Sequence, residues 1–344
     1  LGEDSRAAVD TRYWPQQEAM PKPPAHDTAS LFGPSPDERG RGVGPACAPA
    51  ELVELARGLP AALRLGTSSW SFPGWRGLVY DREASEPTLA RSGLAAYSAH
   101  PLFRTVGLDK TYYRPAPREE FARLAAQTPA GFTFLVKMWR GVLEPDADPR
   151  SGVAQPFLDA AVATEQCVAP AIEGLGAKAG PLLFQFSPLP FGARRSERAF
   201  LADLRRFLDA LPKGPLYAVE VRNRSLVGAE LGEMLAESGA VPCLAVHPAM
   251  PDLERQSREL ALDPARPLVM RWMLRANHAY AEAKELYAPF DRIVEPDDTS
   301  CDALTRLAQG ALRAGLGVWV IVNNKAEGSS PLSVERLARR VAGI

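Results

Sequence analysis

Glu220 and Arg222 stand two residues apart in L-Y-A-V-E-V-R-N-R-S-L, Leu216–Leu226. On an extended chain that spacing puts a carboxylate and a guanidinium on one face. Their neighbours are apolar, so both groups lose water, which is costly unless they pair or meet a ligand. Such a pair belongs where a strand opens into a pocket. There a carboxylate can move protons and a guanidinium can hold an anion. Two further titratable groups end apolar runs in the same way, Asp109 and His247. Glu220, Asp109 and His247 are therefore the expected acid–base set. His247 is followed by Pro248, so capping the strand end competes with a chemical role.

These groups need elements to hold them. Short apolar runs recur as expected strands at Leu63–Thr67, Phe103–Asp109, Phe132–Lys137, Pro181–Phe186, Leu216–Val221, Val241–Val246, Leu268–Met273 and Gly317–Val322. Helical stretches alternate with them. The clearest is Ser196–Leu211, whose Phe200, Leu201, Leu204, Phe207, Leu208 and Leu211 form one stripe. Others are expected at Thr88–Ala99, Pro117–Gln127, Phe157–Leu175, Ala229–Ser238, Ala279–Tyr287, Cys301–Ala314 and Ser330–Arg340. Nearly unbroken apolar strands alternating with helices predict a parallel sheet covered by helices, and eight units close a (β/α)8 barrel. An open doubly wound sheet is the alternative, but no G-x-G-x-x-G follows a strand.

In such a barrel, ligands bind at the carboxyl ends of the strands. That rule collects Trp70 after strand one, and Tyr113 and Arg114 after strand two. It adds Lys137 at the end of strand three, Gln185 in strand four, Arg222 after strand five and Arg271 in strand seven. Asn323, Asn324 and Lys325 follow strand eight. The rim is thus cationic and aromatic, suited to a phosphate or carboxylate beside a base or sugar face. N-N-K-A-E-G-S-S-P, from Asn323 to Pro331, runs into an expected helix with Ser330 as N-cap. Free N–H groups there are expected to favour an anion.

The chain has 344 residues, 46% hydrophobic and 24% charged, with a formal net charge of -1, so bulk charge does not suit a polyanion. Cys47, Cys167, Cys243 and Cys301 lie far apart and form no C-x-x-C, which fits reduced thiols in a cytoplasmic protein. No metal site and no cofactor are expected, since histidines number 4 and no H-E-x-x-H occurs. No apolar run reaches membrane-spanning length, and no signal-peptide layout opens the chain. Residues 1–50, rich in Pro, Gly, Asp and Arg, are expected to be a poorly structured extension, and 51–344 one barrel domain.

The strand-end segments resemble the YecE-like proteins, the domain-of-unknown-function family seventy-two. The matching pieces are G-T-S-S-W-S-F-P-G-W-R-G at Gly66–Gly77, T-Y-Y-R-P at Thr111–Pro115 and G-F-T-F-L-V-K at Gly131–Lys137. They continue with G-P-L-L-F-Q-F-S-P at Gly180–Pro188, A-V-E-V-R-N-R-S-L at Ala218–Leu226 and N-N-K at Asn323–Lys325. The resemblance spans about 63–344 and implies a TIM-barrel-like fold, with no activity assigned. It departs from the family's usual Glu-x-Asn at Gly107-Leu108-Asp109, and from its usual Ser-Trp at Ser225-Leu226.

The expectation is a metal-independent enzyme acting on a phosphorylated or otherwise anionic small molecule, nucleotide- or sugar-derived. Glu220→Gln is then expected to abolish turnover while leaving the fold intact. The alternatives are a nucleic-acid-binding or processing protein, or a non-catalytic ligand-binding module.

Overall fold

The computed structural model describes residues 42–145, 156–192, 195–275 and 278–344. The expected extension falls mostly outside them. Residues 42–49, assigned to it from sequence, are docked on the barrel: Ala46 N–H donates to Val79 O and Asp81 N–H to Gly44 O.

The strands are β1 Leu63–Thr67, β2 Phe103–Leu108, β3 Thr133–Lys137, β4 Ala179–Gln185, β5 Tyr217–Glu220, β6 Val241–Val246, β7 Leu268–Trp272 and β8 Val318–Val322. All neighbours pair in parallel, and β8 returns to β1, with Leu63 opposite Val318 and Thr67 opposite Val322. The sheet is therefore a closed (β/α)8 barrel of the TIM type, not the open doubly wound alternative.

Side chains alternate along a strand, and here the alternation separates two cores. Val106, Phe134, Leu182, Phe184, Leu244 and Val320 belong to the large cluster between strands and helices. The intervening positions, among them Leu135, Leu183, Ala218, Cys243, Val269 and Ile321, form a second cluster inside the barrel. Trp319 belongs to it too; its indole N–H donates to Thr133 Oγ1 at 3.1 Å, with the Arg64 guanidinium 4.6 Å from the ring centroid. Residues that continue this inner face toward the carboxyl ends rise above a dry apolar layer. Polar groups there cannot drain into the barrel interior and must pair among themselves or with a ligand.

Several helices differ from expectation for local reasons. The single helix expected at Thr88–Ala99 is two, Glu86–Ser92 and Leu94–Ser98, divided at Gly93. The helix expected from Phe157 starts at Ala160, where the Asp159 carboxylate accepts Ala161 and Val162 N–H. It then passes through a π-turn at Thr164–Val168. Pro170 has no N–H to offer, and the Ala169 N–H reaches back to Thr164 O instead. A helix at Leu253–Glu259, absent from the expected set, is capped by Asp252.

The helix Ala229–Ser238 closes as expected on Gly239, which sits at φ 82° in the left-handed region. Gly239→Ala is expected to lower stability by about 1 kcal/mol, read as a shift in urea midpoint at unchanged slope. A Cβ there meets little but Arg266 at 3.9 Å, so the loss is conformational.

Candidate functional site

Above the apolar layer, the inner face ends in charge. Glu220 closes β5 fully buried, in register with Gln185 at the end of β4. Arg271 comes up from β7, only 1% exposed, and its Nη1 donates to Glu220 Oε2 at 2.8 Å. Its Nη2 faces Asp109 Oδ1 at 3.4 Å. Arg222 contacts the other Glu220 oxygen, Oε1, as an ion pair without hydrogen-bond alignment. One carboxylate is thus clamped by two guanidiniums, and one of those reaches a second carboxylate. Among the described residues, Arg222 Nε, Arg222 Nη1 and Arg271 Nε have no hydrogen-bond partner.

Burial works to raise the Glu220 pKa, but Arg222, Arg271 and the Arg271 hydrogen bond outweigh it and hold the carboxyl at about 2. Burial likewise works to lower Arg271, and Glu220 with Asp109 reverses that and raises it. The neighbouring Cys243 thiol, 3.6 Å from Glu220 Oε2, is pushed well up by burial and by that carboxylate.

Lys137 ends β3 on the same inner face, with Nζ 3.7 Å from the Tyr112 ring centroid. Its Nζ makes no hydrogen bond or ion pair with any described residue, while its backbone carbonyl accepts the Thr111 hydroxyl at 2.6 Å. Desolvation brings its pKa down to about 8; Asp109 and Glu220 pull upward, Arg271 and Arg222 downward. Lys325 is alike. Its Nζ lies 4.2 Å from the Tyr280 centroid, no described carboxylate pairs with it, and burial lowers it to about 8 against the pull of Asp109. Among the described residues, the carboxylates that Lys137, Arg222, Arg271 and Lys325 face in this layer are Asp109 and Glu220. The layer carries a surplus of positive charge.

Tyr112 anchors the lip beside Lys137. Its hydroxyl is hydrogen-bonded to Glu144 and lies 3.2 Å from Ser187 Oγ, which donates to Glu144 Oε1 at 3.1 Å. Arg140 Nε holds the other Glu144 oxygen at 3.2 Å. Tyr113 and Tyr280 are exposed large aromatics, and both hydroxyls feel the Asp109 charge.

The structure brings together Asp109, Lys137, Glu220, Arg222, Arg271 and Lys325, with Gln185 in register beside Glu220 and Tyr113 near Asp109. Asn323 braces the edge: its Nδ2 donates to Ser68 Oγ at 2.8 Å, and its Oδ1 accepts Lys325 N–H at 3.0 Å.

Other expected residues are placed differently. Trp70 is buried in the core between strands and helices, with its indole N–H on Leu89 O at 3.0 Å, so it offers no face to a ligand. Arg114 is exposed. The anion expected at the last helix has no place either. Asn324, buried, accepts the Ser330 N–H at 2.8 Å and its hydroxyl at 2.7 Å, which caps the helix Ser330–Ala342 from outside. The buried Glu327 carboxylate, held by Arg336 and the Asp297 N–H, puts a fixed negative charge in that loop.

The acid–base expectation is also corrected. Glu220, with its pKa held at about 2 and each oxygen ion-paired to a guanidinium, is too weak a base. His247 Nδ1 accepts the Ala249 N–H at 3.1 Å, and burial, aided by Arg222, drives its pKa down to about 2. It is a neutral strand-end cap. Asp109 keeps 35% of its side chain exposed, against none for Glu220.

Tyr280 was not among the expected rim residues; it lies eight residues past the end of β7, where no sequence signal marks it. Among the described residues, no group of three His, Cys, Asp or Glu is placed to hold a metal ion. Nor is any described helix long and apolar enough to cross a membrane. A crevice of about 30 Å³ at the amino ends of β6 and β7, lined by Gly232, Leu260 and Pro267, has room for about one water.

The family model for "Protein of unknown function DUF72" matches residues 64–343. Two solved structures show the same architecture. A DUF72 family protein from Thermotoga maritima MSB8 has a TM-score of 0.57 at 23% identity, covering 82% of this chain and 99% of its own. One from Enterococcus faecalis V583 has a TM-score of 0.57 at 20% identity, covering 82% and 96%. A comparison with curated proteins found no match.

Proposed function

Since the chain belongs to the DUF72 family, whose description assigns no activity, we propose a function from the site itself: an enzyme that binds a small anionic molecule at the carboxyl mouth of its barrel. One observation carries this reading. Four cationic side chains share a desolvated layer with two carboxylates, and Lys137 and Lys325 have no carboxylate partner among the described residues. Uncompensated charge in such surroundings costs free energy that a bound anion returns. The same surplus of positive charge disfavours a metal cation at this point.

In this reading Arg271 and Lys325 hold a phosphate or carboxylate, and the unpartnered guanidinium N–H groups are its further donors. Glu220 is a positioning residue that fixes both guanidiniums. Asp109, partly exposed and beside Arg271, is the carboxylate able to exchange protons with a ligand. Tyr113 and Tyr280 offer ring faces to a base or sugar.

Inorganic phosphate and a small sugar phosphate, titrated calorimetrically at low salt, are expected to bind. Lys325→Ala is expected to weaken that binding about tenfold, the loss of one charge-assisted contact. Absence of binding by every phosphate and carboxylate tried, or unchanged affinity in the variant, removes the reading. The exposed Tyr113 and Arg114 support a second reading, a nucleic-acid ligand on the rim. Oligonucleotide binding that weakens steeply with salt would favour it.

A further inference from the structure

We propose that Lys137 is a covalent nucleophile, forming an imine with the carbonyl carbon of an anionic aldehyde or ketone held in the barrel mouth. This deepens the anion-binding reading and rests on it. Amine catalysis needs a lysine that is desolvated, reachable and not locked to a carboxylate. Lys137 meets each condition. It closes β3 on the inner face, keeps partial exposure, and its Nζ has no described partner but the Tyr112 ring. That contact is a weak one and does not hold the ammonium as a carboxylate does.

Two other lysines with clear surroundings differ from it. Lys178 Nζ donates to Ala125 O, Thr128 O and Thr128 Oγ1 and is a structural tether. Lys325 also lacks a described partner. Among the described residues, the charges that act on it are those of Asp109 and Lys284, whereas Lys137 feels Asp109, Arg271, Glu220 and Arg222 together. A substrate whose anionic end meets Arg271 therefore has an amine, not a second bare cation, beside it. Desolvation holds the amine at about 8, so roughly a tenth of it is free base at pH 7.

The step balances simply. The neutral amine adds to the carbonyl carbon, and the C–O π pair moves to oxygen, which takes a proton. The nitrogen gives up one proton, and the carbinolamine then takes another and loses water. The sum is amine, carbonyl and one proton giving iminium and water. The hydroxyl of Tyr112, joined to Glu144 and Ser187, is a proton relay on the ring that carries the amine.

The test uses the full chain with glycolaldehyde phosphate, reduced in place with cyanoborohydride and mapped by peptide mass spectrometry. The expected result is an adduct on Lys137 at least about tenfold above any other lysine, with a rate rising between about pH 7 and 9. Lys137→Arg should lose it while still binding inorganic phosphate, and Lys325→Arg should keep it on Lys137. Labelling of Lys137 no greater than that of surface lysines overturns the proposal. If phosphate still binds in that case, the imine fails alone and the anion-binding reading stands. If unphosphorylated glycolaldehyde labels Lys137 equally well, the imine stands and the anion-binding reading fails.

Discussion

Glu220→Ala should destabilise the whole barrel by about 3–5 kcal/mol, a fall in Tm of roughly 6–10 °C. The carboxylate is fully buried and is the shared partner of Arg222 and Arg271, themselves 5% and 1% exposed. Removing it strands two guanidiniums in a dry layer. Glu220→Gln should do nearly the same, because the amide keeps the shape and loses the charge. The expectation from sequence, an intact fold without turnover, is therefore replaced by loss of stability. Calorimetric unfolding of the two variants decides it; a Tm within a degree or so of wild type would refute the clamp. Replacing Glu220, Arg222 and Arg271 together by Leu or Met should recover most of the stability and abolish phosphate binding.

The same clamp has a pH signature. Its carboxyl is held at about 2, below the ordinary 4.5. A depressed carboxyl stabilises the fold above its unfolded pKa and loses that contribution as pH falls toward the folded value. Glu220 thus contributes fully above about pH 5, and its share, on the order of 3 kcal/mol, disappears between there and pH 2. In Glu220→Gln that part of the acid slope should be missing.

Lys137→Met should act in the opposite direction on stability and destroy function. The wild-type ammonium is held at about 8 against an ordinary 10.5, with desolvation the main cause. A lysine whose folded pKa is depressed makes the fold less stable wherever it is protonated. That penalty is complete below pH 8 and fades as pH rises through 8 toward 10.5. Substitution by an apolar side chain of similar length removes it. The variant should be more stable than wild type by ~1–2 kcal/mol at pH 7, after allowance for solvent at the edge of the site, with the difference closing by about pH 10.5. Ligand affinity or adduct formation should fall by about a hundredfold or more. Paired melting curves at neutral and high pH measure the first claim. A destabilised variant at pH 7 would show that Lys137 has a stabilising partner after all.

The polar layer shows how far the sequence was readable. That Glu220 and Arg222 share a face follows from a period of two, and that they lie in a pocket mouth follows from strand ends. The guanidinium hydrogen-bonded to Glu220 is that of Arg271, 51 residues away on β7. No local pattern joins them; barrel closure does, because it turns separate inner faces toward one axis. Trp70 went wrong for a related reason. It follows β1 in a segment of serines and aromatics, where the period of two no longer says which way a side chain turns, and the outer core took it. Asn324 was counted as a ligand contact and His247 as an acid–base group because polar residues at strand ends look alike in sequence. Backbone N–H groups claim Asn324 Oδ1 and His247 Nδ1, and that depends on the path of the loops.

The sequence by itself determined the eight-unit barrel, since parallel strands buried on both faces must be apolar runs and their covering helices must carry stripes. It also determined which residues crowd the carboxyl ends. Only the tertiary structure decided which charges cancel and which do not. Pair energies depend on distance and on exclusion of water, and neither exists until the strands have closed. Closure spends Glu220 on two guanidiniums, leaves Lys137 and Lys325 beside tyrosine rings, and so sets the charge that a ligand would meet.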